Sequence, residues 1–177
     1  FYIWSPLVAN RILKILPNIK LIVLFRNPVD RAYSNYHLGI RAGSENLSFE
    51  DAIQSELDSL KNSKIKSDDD VKKYTIPRSY IAKGFYADQL KIWLKLFKSK
   101  QLFITSTEDF ESNANNTLNK IYDFLEIPQI NLKNLEKYKV ASYPHMKDET
   151  RKFLVDLYKI HNEELFRMIS KEFDWNK

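Results

Sequence analysis

Cysteine is absent from this 177-residue chain, which removes thiol catalysis, disulfides and thiolate metal sites together. Histidine is scarce: His37, His145 and His161 lie far apart in the sequence, so no histidine-rich metal site is expected. No run approaches the roughly 18 apolar residues that a membrane-spanning helix needs, and the first residues lack a basic segment followed by a small-residue cleavage site. What is present describes a globular domain. Hydrophobic residues make up 44% and aromatics 14% of the chain, enough for one domain with a real core. The formal charge of +5 comes from lysines spread along the chain among acids, the pattern of a solvated surface. A mild positive field also suits an anionic nucleotide or an anionic polymer, and charge alone does not choose between them.

Local signals divide the chain into elements. Ser5-Pro6 reads as a helix N-cap with proline at the first position, and Leu7, Val8, Ile12, Leu13, Ile15 and Leu16 supply an apolar face before Pro17-Asn18 stops it. Lys20 to Phe25 is a short, nearly continuous apolar run that suits a strand buried on both faces. Asn27 caps the next helix, with Pro28 at its first position and Asp30 in its first turn. That helix is predicted to reach about Ile40 and to end near Gly43. Ser48 opens another with a capping-box-like Ser48-Phe49-Glu50-Asp51, continuing through Leu60. Lys61 to Lys73, with Asp68-Asp69-Asp70, reads as a polar surface excursion and not as a metal site. One amphipathic helix is predicted over Ser79 to Phe97, with Tyr86, Leu90, Trp93, Leu94 and Phe97 on one face. A second strand follows at Gln101 to Thr105, then helices at Asn116 to Leu125 and Thr150 to Ile169, the last with a break around His161-Asn162.

The order α-β-α-α-α-β-α-α has two strands of interior character. Two such strands do not make a self-sufficient parallel sheet. The sequence starts at Phe1-Tyr2 without an initiator methionine, so earlier strands are expected upstream.

In open α/β sheets, ligands bind beyond the carboxyl ends of the strands, which is where Arg26 stands. A guanidinium there can hold a phosphate bidentately, and the following helix N-terminus offers N–H groups to the same anion. Ser34, two turns into that helix, can donate a hydroxyl, and Arg31 precedes it on the same face. On spacing alone, Arg26 paired to a structural carboxylate remains an equal alternative.

The continuous segment from Lys20 through Arg26-Asn27-Pro28-Val29-Asp30-Arg31-Ala32-Tyr33-Ser34 to His37 closely resembles the 3′-phosphate-binding segment of sulfotransferases that use 3′-phosphoadenosine 5′-phosphosulfate (PAPS), and most of all the branch of heparan sulfate and bacterial polysaccharide sulfotransferases. Three further stretches agree in order. Phe1-Tyr2 with Pro6, Val8, Ala9 and Arg11 resembles the segment before that strand. Gly84-Phe85-Tyr86-Ala87 with Leu90 and Trp93, then Gln101 to Ile104 and Glu108-Asp109-Phe110, resemble the family's Gly-x-Tyr helix, strand and acidic turn. Tyr143-Pro144-His145-Met146, Arg151, Leu154, Asn162, Leu165 and Trp175 resemble its C-terminal end.

This resemblance implies a helix-rich α/β fold, a partial P-loop-NTPase-like three-layer sandwich with a short parallel sheet. Residues 1–177 would be a single domain, the C-terminal two-thirds of the family's. It implies that Arg26 and Ser34 hold the 3′-phosphate of PAPS. Tyr86 either lines the nucleotide pocket or is simply a buried, satisfied tyrosine. Lys139 and Ser142 are further candidate contacts, with an exposed surface lysine as the alternative for Lys139.

The implied activity is sulfuryl transfer from PAPS to a hydroxyl or amine of an acceptor, a glycan by family weighting, releasing adenosine 3′,5′-bisphosphate. No metal, no nucleic-acid partner and no membrane span are expected. Two family features have no match: the lysine-rich phosphosulfate loop after the first strand, and the general base, a glutamate in the heparan-type branch. Both are expected upstream of Phe1, so no catalytic residue is assigned and this segment alone is not expected to complete the site. The rival readings are a P-loop-type kinase, which would need a Walker loop and a Mg²⁺-binding aspartate, and a non-catalytic remnant that binds nucleotide or anionic partners. Lysine and asparagine richness points to an AT-rich, bacterial genome and a cytoplasmic enzyme, whereas animal members of the resembled branch are Golgi-lumenal.

Overall fold

The structure, a computed structural model, describes residues 2–62, 79–130, 132 and 142–176. The Asp68-Asp69-Asp70 stretch and Lys139 lie outside the described residues. A short 3₁₀ turn at Tyr2–Trp4 leads into α1 (Pro6–Ile15). Strand β1 (Leu21–Phe25) follows, then α2 (Pro28–Arg41) and α3 (Phe49–Asn62). The chain continues through α4 (Tyr86–Leu96) to β2 (Leu102–Ser106). It then forms α5 (Thr107–Ser112), α6 (Ala114–Leu125) and the long α7 (Asp148–Ile169).

β1 and β2 pair in parallel, from Leu21 opposite Leu102 to Phe25 opposite Ser106, so both strands end on the same side of the domain. Helices flank the pair on two sides. Val23 and Phe25 of β1, with Leu102 and Ile104 of β2, face Tyr86, Ala87 and Leu90 of α4 and Leu165 and Phe166 of α7; Phe173 and Trp175 close this cluster. On the opposite side, Phe103 of β2 meets Phe124 of α6 at 5.6 Å between ring centroids. A second core gathers Val29, Ala32 and Tyr36 of α2, Phe49, Ala52 and Ile53 of α3, and Leu154 and Tyr158 of α7. The third sits between α1 and α4 around Ala9, Trp93 and Phe97.

Three expectations need correction. β1 is not buried on both faces: Ile22 and Leu24 are 45% and 52% exposed. Side chains alternate along a strand, and α4 and α7 cover only the Val23–Phe25 face; among the described residues no element covers the other face of β1. The helix predicted from Ser79 begins at Tyr86. Its first residues instead run irregularly into a 3₁₀ turn at Ala82–Gly84, because the buried Glu56 of α3 takes the N–H groups of Tyr80, Ile81 and Ala82 at 2.6, 2.8 and 2.9 Å. Helix α7 is not broken at His161-Asn162. The buried Asn162 amide donates to Asn176 Oδ1 at 3.0 Å and so does not compete with the helix backbone.

Candidate anion-binding site

Arg26 leaves the carboxyl end of β1, one residue before the cap of α2. Asn27 caps that helix as its sequence requires: its Oδ1 accepts from the Val29 N–H at 2.9 Å. The Arg26 guanidinium makes no hydrogen bond or ion pair with any described residue, which removes the alternative of a structural carboxylate partner within that set. It lines a pocket of about 400 Å³ that runs along β1 and is also walled by Trp4, Arg31, Lys83, Tyr86 and Gln89. Among the described residues, three cations and no acid line this pocket.

Arg31, one turn into α2, donates from Nη2 to the Tyr80 carbonyl, while its Nε is buried without a partner. Tyr86 is buried against Phe25, with ring centroids 4.5 Å apart, and its hydroxyl donates to the Arg26 carbonyl at 2.9 Å. Burial pushes the Tyr86 phenol up to about 12, so it stays a neutral donor at physiological pH. The Tyr86 hydroxyl is thus satisfied, and the residue also lines this pocket. The Lys83 ammonium is half-buried; burial, then the nearby Arg31 charge, lowers its pKa, and Glu56 opposes this. Gln89 is 2% exposed and donates from Nε2 to the Lys83 and Phe85 carbonyls at 3.0 and 3.3 Å.

The start of α2 is less open to an anion than its sequence suggests. Glu108 of α5 accepts the Asn27 N–H at 2.8 Å and, through its other oxygen, the Trp175 indole N–H at 3.3 Å. The Val29 N–H is taken by Asn27 and Pro28 has none. A protein carboxylate thus already occupies the positive end of this helix, and attraction for an external anion rests on the side-chain cations.

Ser34 is half-buried on α2 and its hydroxyl has no partner among the described residues. It does not line the pocket, although Arg31, at the i−3 position on the same helix face, does. Ser142 is exposed in the segment before α7 and is not part of the pocket wall either. Sequence reasoning overlooked Lys83 and Gln89. The signal was their flanking of Gly84-Phe85-Tyr86, but the contacts that hold the turn before Lys83 come from α3 and α7, distant in sequence. Among the described residues no group of three or more His, Asp or Glu could hold a metal ion, and no helix is long and apolar enough to cross a membrane.

Comparison with known proteins gives this arrangement its context. The family model described as the sulfotransferase domain matches residues 8–177. A membrane-associated sulfotransferase, kil1, of Dictyostelium discoideum is 25% identical over 99% of this chain, which spans 52% of that protein. The bifunctional heparan sulfate N-deacetylase/N-sulfotransferase 2 of Bos taurus is 28% identical over 96% of this chain and 21% of its own length. Among solved structures, a sulfotransferase from Alicyclobacillus acidocaldarius superposes with a TM-score of 0.80 at 24% identity, covering all of this chain and 65% of the other. That likeness shows the fold, the helix-rich, P-loop-like α/β arrangement expected from the sequence.

Proposed function

Since the chain belongs to the sulfotransferase domain family, we propose that it forms the 3′-phosphate end of a PAPS site and serves sulfuryl transfer from PAPS to a hydroxyl or amine of a glycan. The observation that carries this reading is the Arg26 guanidinium at the end of β1, in a pocket whose wall carries no acid among the described residues, while Arg31 and Lys83 add to the same positive field. Cations held in a half-enclosed pocket without an acid on its wall are costly unless an anion completes them. A nucleotide carrying a ribose phosphate is such an anion.

In this scheme the residues of the chain bind and orient. Arg26 takes two oxygens of the 3′-phosphate; Ser34, which does not line the pocket, donates its hydroxyl only to a phosphate that extends beyond the pocket wall. Tyr86 fixes the Arg26 backbone through its carbonyl and presents a ring to the pocket. Anchoring the far end of the nucleotide places its reacting end, and most of the acceleration in such transfers comes from positioning and fixed charge. PAPS supplies the sulfuryl group for in-line transfer to the acceptor. The group that removes the acceptor's proton is not assigned to any residue of this chain. A glycan acceptor is supported by the names of relatives, which include heparan sulfate and carbohydrate sulfotransferases.

Thermal-shift measurements with adenosine 3′,5′-bisphosphate, PAPS and Mg·ATP test the reading. The two 3′-phosphorylated nucleotides are expected to raise the melting temperature and Mg·ATP to leave it unchanged. Stabilisation by Mg·ATP alone points to a kinase and contradicts the proposal. Transfer of labelled sulfate from PAPS to N-desulfated heparan sulfate tests the acceptor class separately.

A further inference from the structure

We infer that His37 is a positioning residue: its neutral ring, stacked on Tyr143, holds the segment before α7 against α2 beside Ser34, and its protonation releases that segment and weakens nucleotide binding. The inference rests on the reading of Arg26 and Ser34 as phosphate ligands and adds to it a residue that touches no ligand.

The geometry is that of a clamp. The His37 and Tyr143 rings lie nearly parallel, 7° apart, with centroids separated by 4.4 Å. Tyr33, one turn earlier on α2, meets both rings edge-on, 4.5 Å from His37 and 5.4 Å from Tyr143. Its hydroxyl donates to the Pro144 carbonyl at 3.0 Å. Two side chains of α2 at i, i+4 spacing thus hold two successive residues of the segment, one by its ring and one by its carbonyl. Beyond them the buried Met146 joins the core of α2, α3 and α7, and Lys147 pairs with Glu50 of α3 at 3.3 Å. Ser34 stands next to the clamp, directly after Tyr33 and three residues before His37. A phosphate that extends beyond the pocket wall to Ser34 therefore comes to the part of α2 that this segment borders.

The clamp depends on the charge of His37. Nε2 of its ring is buried and has no hydrogen-bond partner. A neutral imidazole can leave that nitrogen as a bare lone pair, whereas an imidazolium carries an N–H on both nitrogens. A charged donor buried without an acceptor is costly. Burial first, and the Arg41 charge second, hold the His37 pKa below its ordinary 6.5. The other titratable groups facing the ring are the phenols of Tyr33, Tyr36 and Tyr143, a group uncharged in acid. The neighbouring acids act on those tyrosines, Glu50 on Tyr33 and Tyr36 and Glu45 on Tyr36. Both are engaged elsewhere, Glu45 by the Tyr80 hydroxyl and Glu50 by Thr150 and Lys147. The face of Tyr143 attracts an imidazolium, but that attraction does not supply the missing acceptor. Protonation is relieved when the ring swings out to water, which undoes the stack. Since the clamped state binds the His37 proton less well than the open one, the clamp is fully formed above pH 6.5 and gives way as pH falls below it.

The experiment uses the full chain. NMR follows the ring signals of His37 and Tyr143 without ligand from about pH 8 to about pH 5, the range in which histidine changes charge. Calorimetry with adenosine 3′,5′-bisphosphate covers the same range, with His37→Phe, His37→Ala and Arg26→Ala in parallel. The phosphates of the ligand themselves lose charge near about pH 6, so every protein binds more weakly in acid. His37→Phe keeps a ring that stacks but does not titrate, and the comparison with it isolates the histidine. His37 is expected to titrate below 6.5, and the ring-current shifts of Tyr143 to collapse with the same midpoint. In neutral buffer His37→Phe should bind like wild type and His37→Ala about tenfold more weakly, as for a segment in place a tenth of the time. In acid wild type should fall away from His37→Phe and join His37→Ala. Tyr143 signals that ignore the His37 titration, or a stack that tightens in acid, overturn the clamp. Wild type and His37→Phe weakening in parallel overturns the positioning role, and this comparison decides even where His37→Ala does not fold. If wild type does not bind the nucleotide, or Arg26→Ala binds as tightly as wild type, the phosphate reading fails and takes the role of His37 in binding with it.

Discussion

Replacing Arg26 by alanine separates ligand binding from folding with little ambiguity, because the guanidinium has no partner among the described residues. Its removal breaks no described protein contact and lowers the positive charge next to Arg31 and Lys83. The melting temperature of the empty protein should therefore stay within about 2 °C of wild type, the range of substitutions that touch no special feature. Binding should suffer much more. A charge-assisted contact to phosphate in a half-enclosed pocket contributes about 2–4 kcal/mol, which is roughly a 30- to 1000-fold rise in Kd. Titration calorimetry with adenosine 3′,5′-bisphosphate reads both the affinity and the number of sites. An Arg26→Ala protein that binds the nucleotide as tightly as wild type refutes the reasoning, since the one uncommitted strand-end cation would then contribute nothing. A large fall in melting temperature refutes it differently, by showing that Arg26 holds the fold.

Three further outcomes follow from the same network. Gly84→Ala puts a methyl carbon 2.6–2.8 Å from three atoms of the buried Tyr158 side chain, so the ring must shift. The cost is about 1–3 kcal/mol and a melting temperature lower by roughly 2–12 °C, measured by calorimetry. Tyr86→Phe removes the hydroxyl that donates to the Arg26 carbonyl and should cost about 1 kcal/mol of stability, seen as a shifted urea midpoint at unchanged slope. Burial raises the Glu56 carboxyl above its ordinary value, although three backbone N–H groups and Arg31 oppose this. A carboxyl raised on folding favours the folded state in acid, and that contribution fades as pH climbs through the raised value. Glu56→Gln should flatten the loss of stability above pH 4.5, even though the amide is a poorer partner for three N–H groups and lowers stability overall. A melting-temperature profile that keeps its wild-type slope in Glu56→Gln assigns the titration to another group.

What the sequence disclosed was local. Asn27-Pro28 fixed the start of α2 because cap and first-turn chemistry act within a few residues, and the Asn27 side chain makes the bond that its identity requires. Gly43, placed near the end of the same helix, adopts a positive φ of 65°, which terminates helices at little cost for glycine. The short helix α5 was legible only as an acidic turn, though Ser106 caps it by accepting from the Asp109 N–H at 3.0 Å. What stayed hidden was long-range. Nothing near Tyr80 announces that Glu56, more than twenty residues earlier, will take its N–H and stop α4 from starting there. The occupation of the α2 start by Glu108 depends on the parallel register that sets Phe25 beside Ser106, and no local pattern contains that register. Ser34 shows the limit from the other side: its helix and face were legible, yet whether it reaches the pocket depends on the neighbouring elements. The exposure of Ile22 and Leu24 has the same origin, since an apolar run specifies what prefers burial and not which element will cover it.

The central claim is that a phosphate on the nucleotide's 3′ position is what the Arg26 end of this pocket recognises. The direct measurement compares the affinity of adenosine 3′,5′-bisphosphate with that of adenosine 5′-monophosphate, in wild type and in Arg26→Ala. Wild type is expected to prefer the bisphosphate by at least about 30-fold, the lower end of a charge-assisted phosphate contact, and Arg26→Ala to lose most of that preference. Equal binding of the two nucleotides by wild type, or a preference that survives the loss of Arg26, contradicts the account.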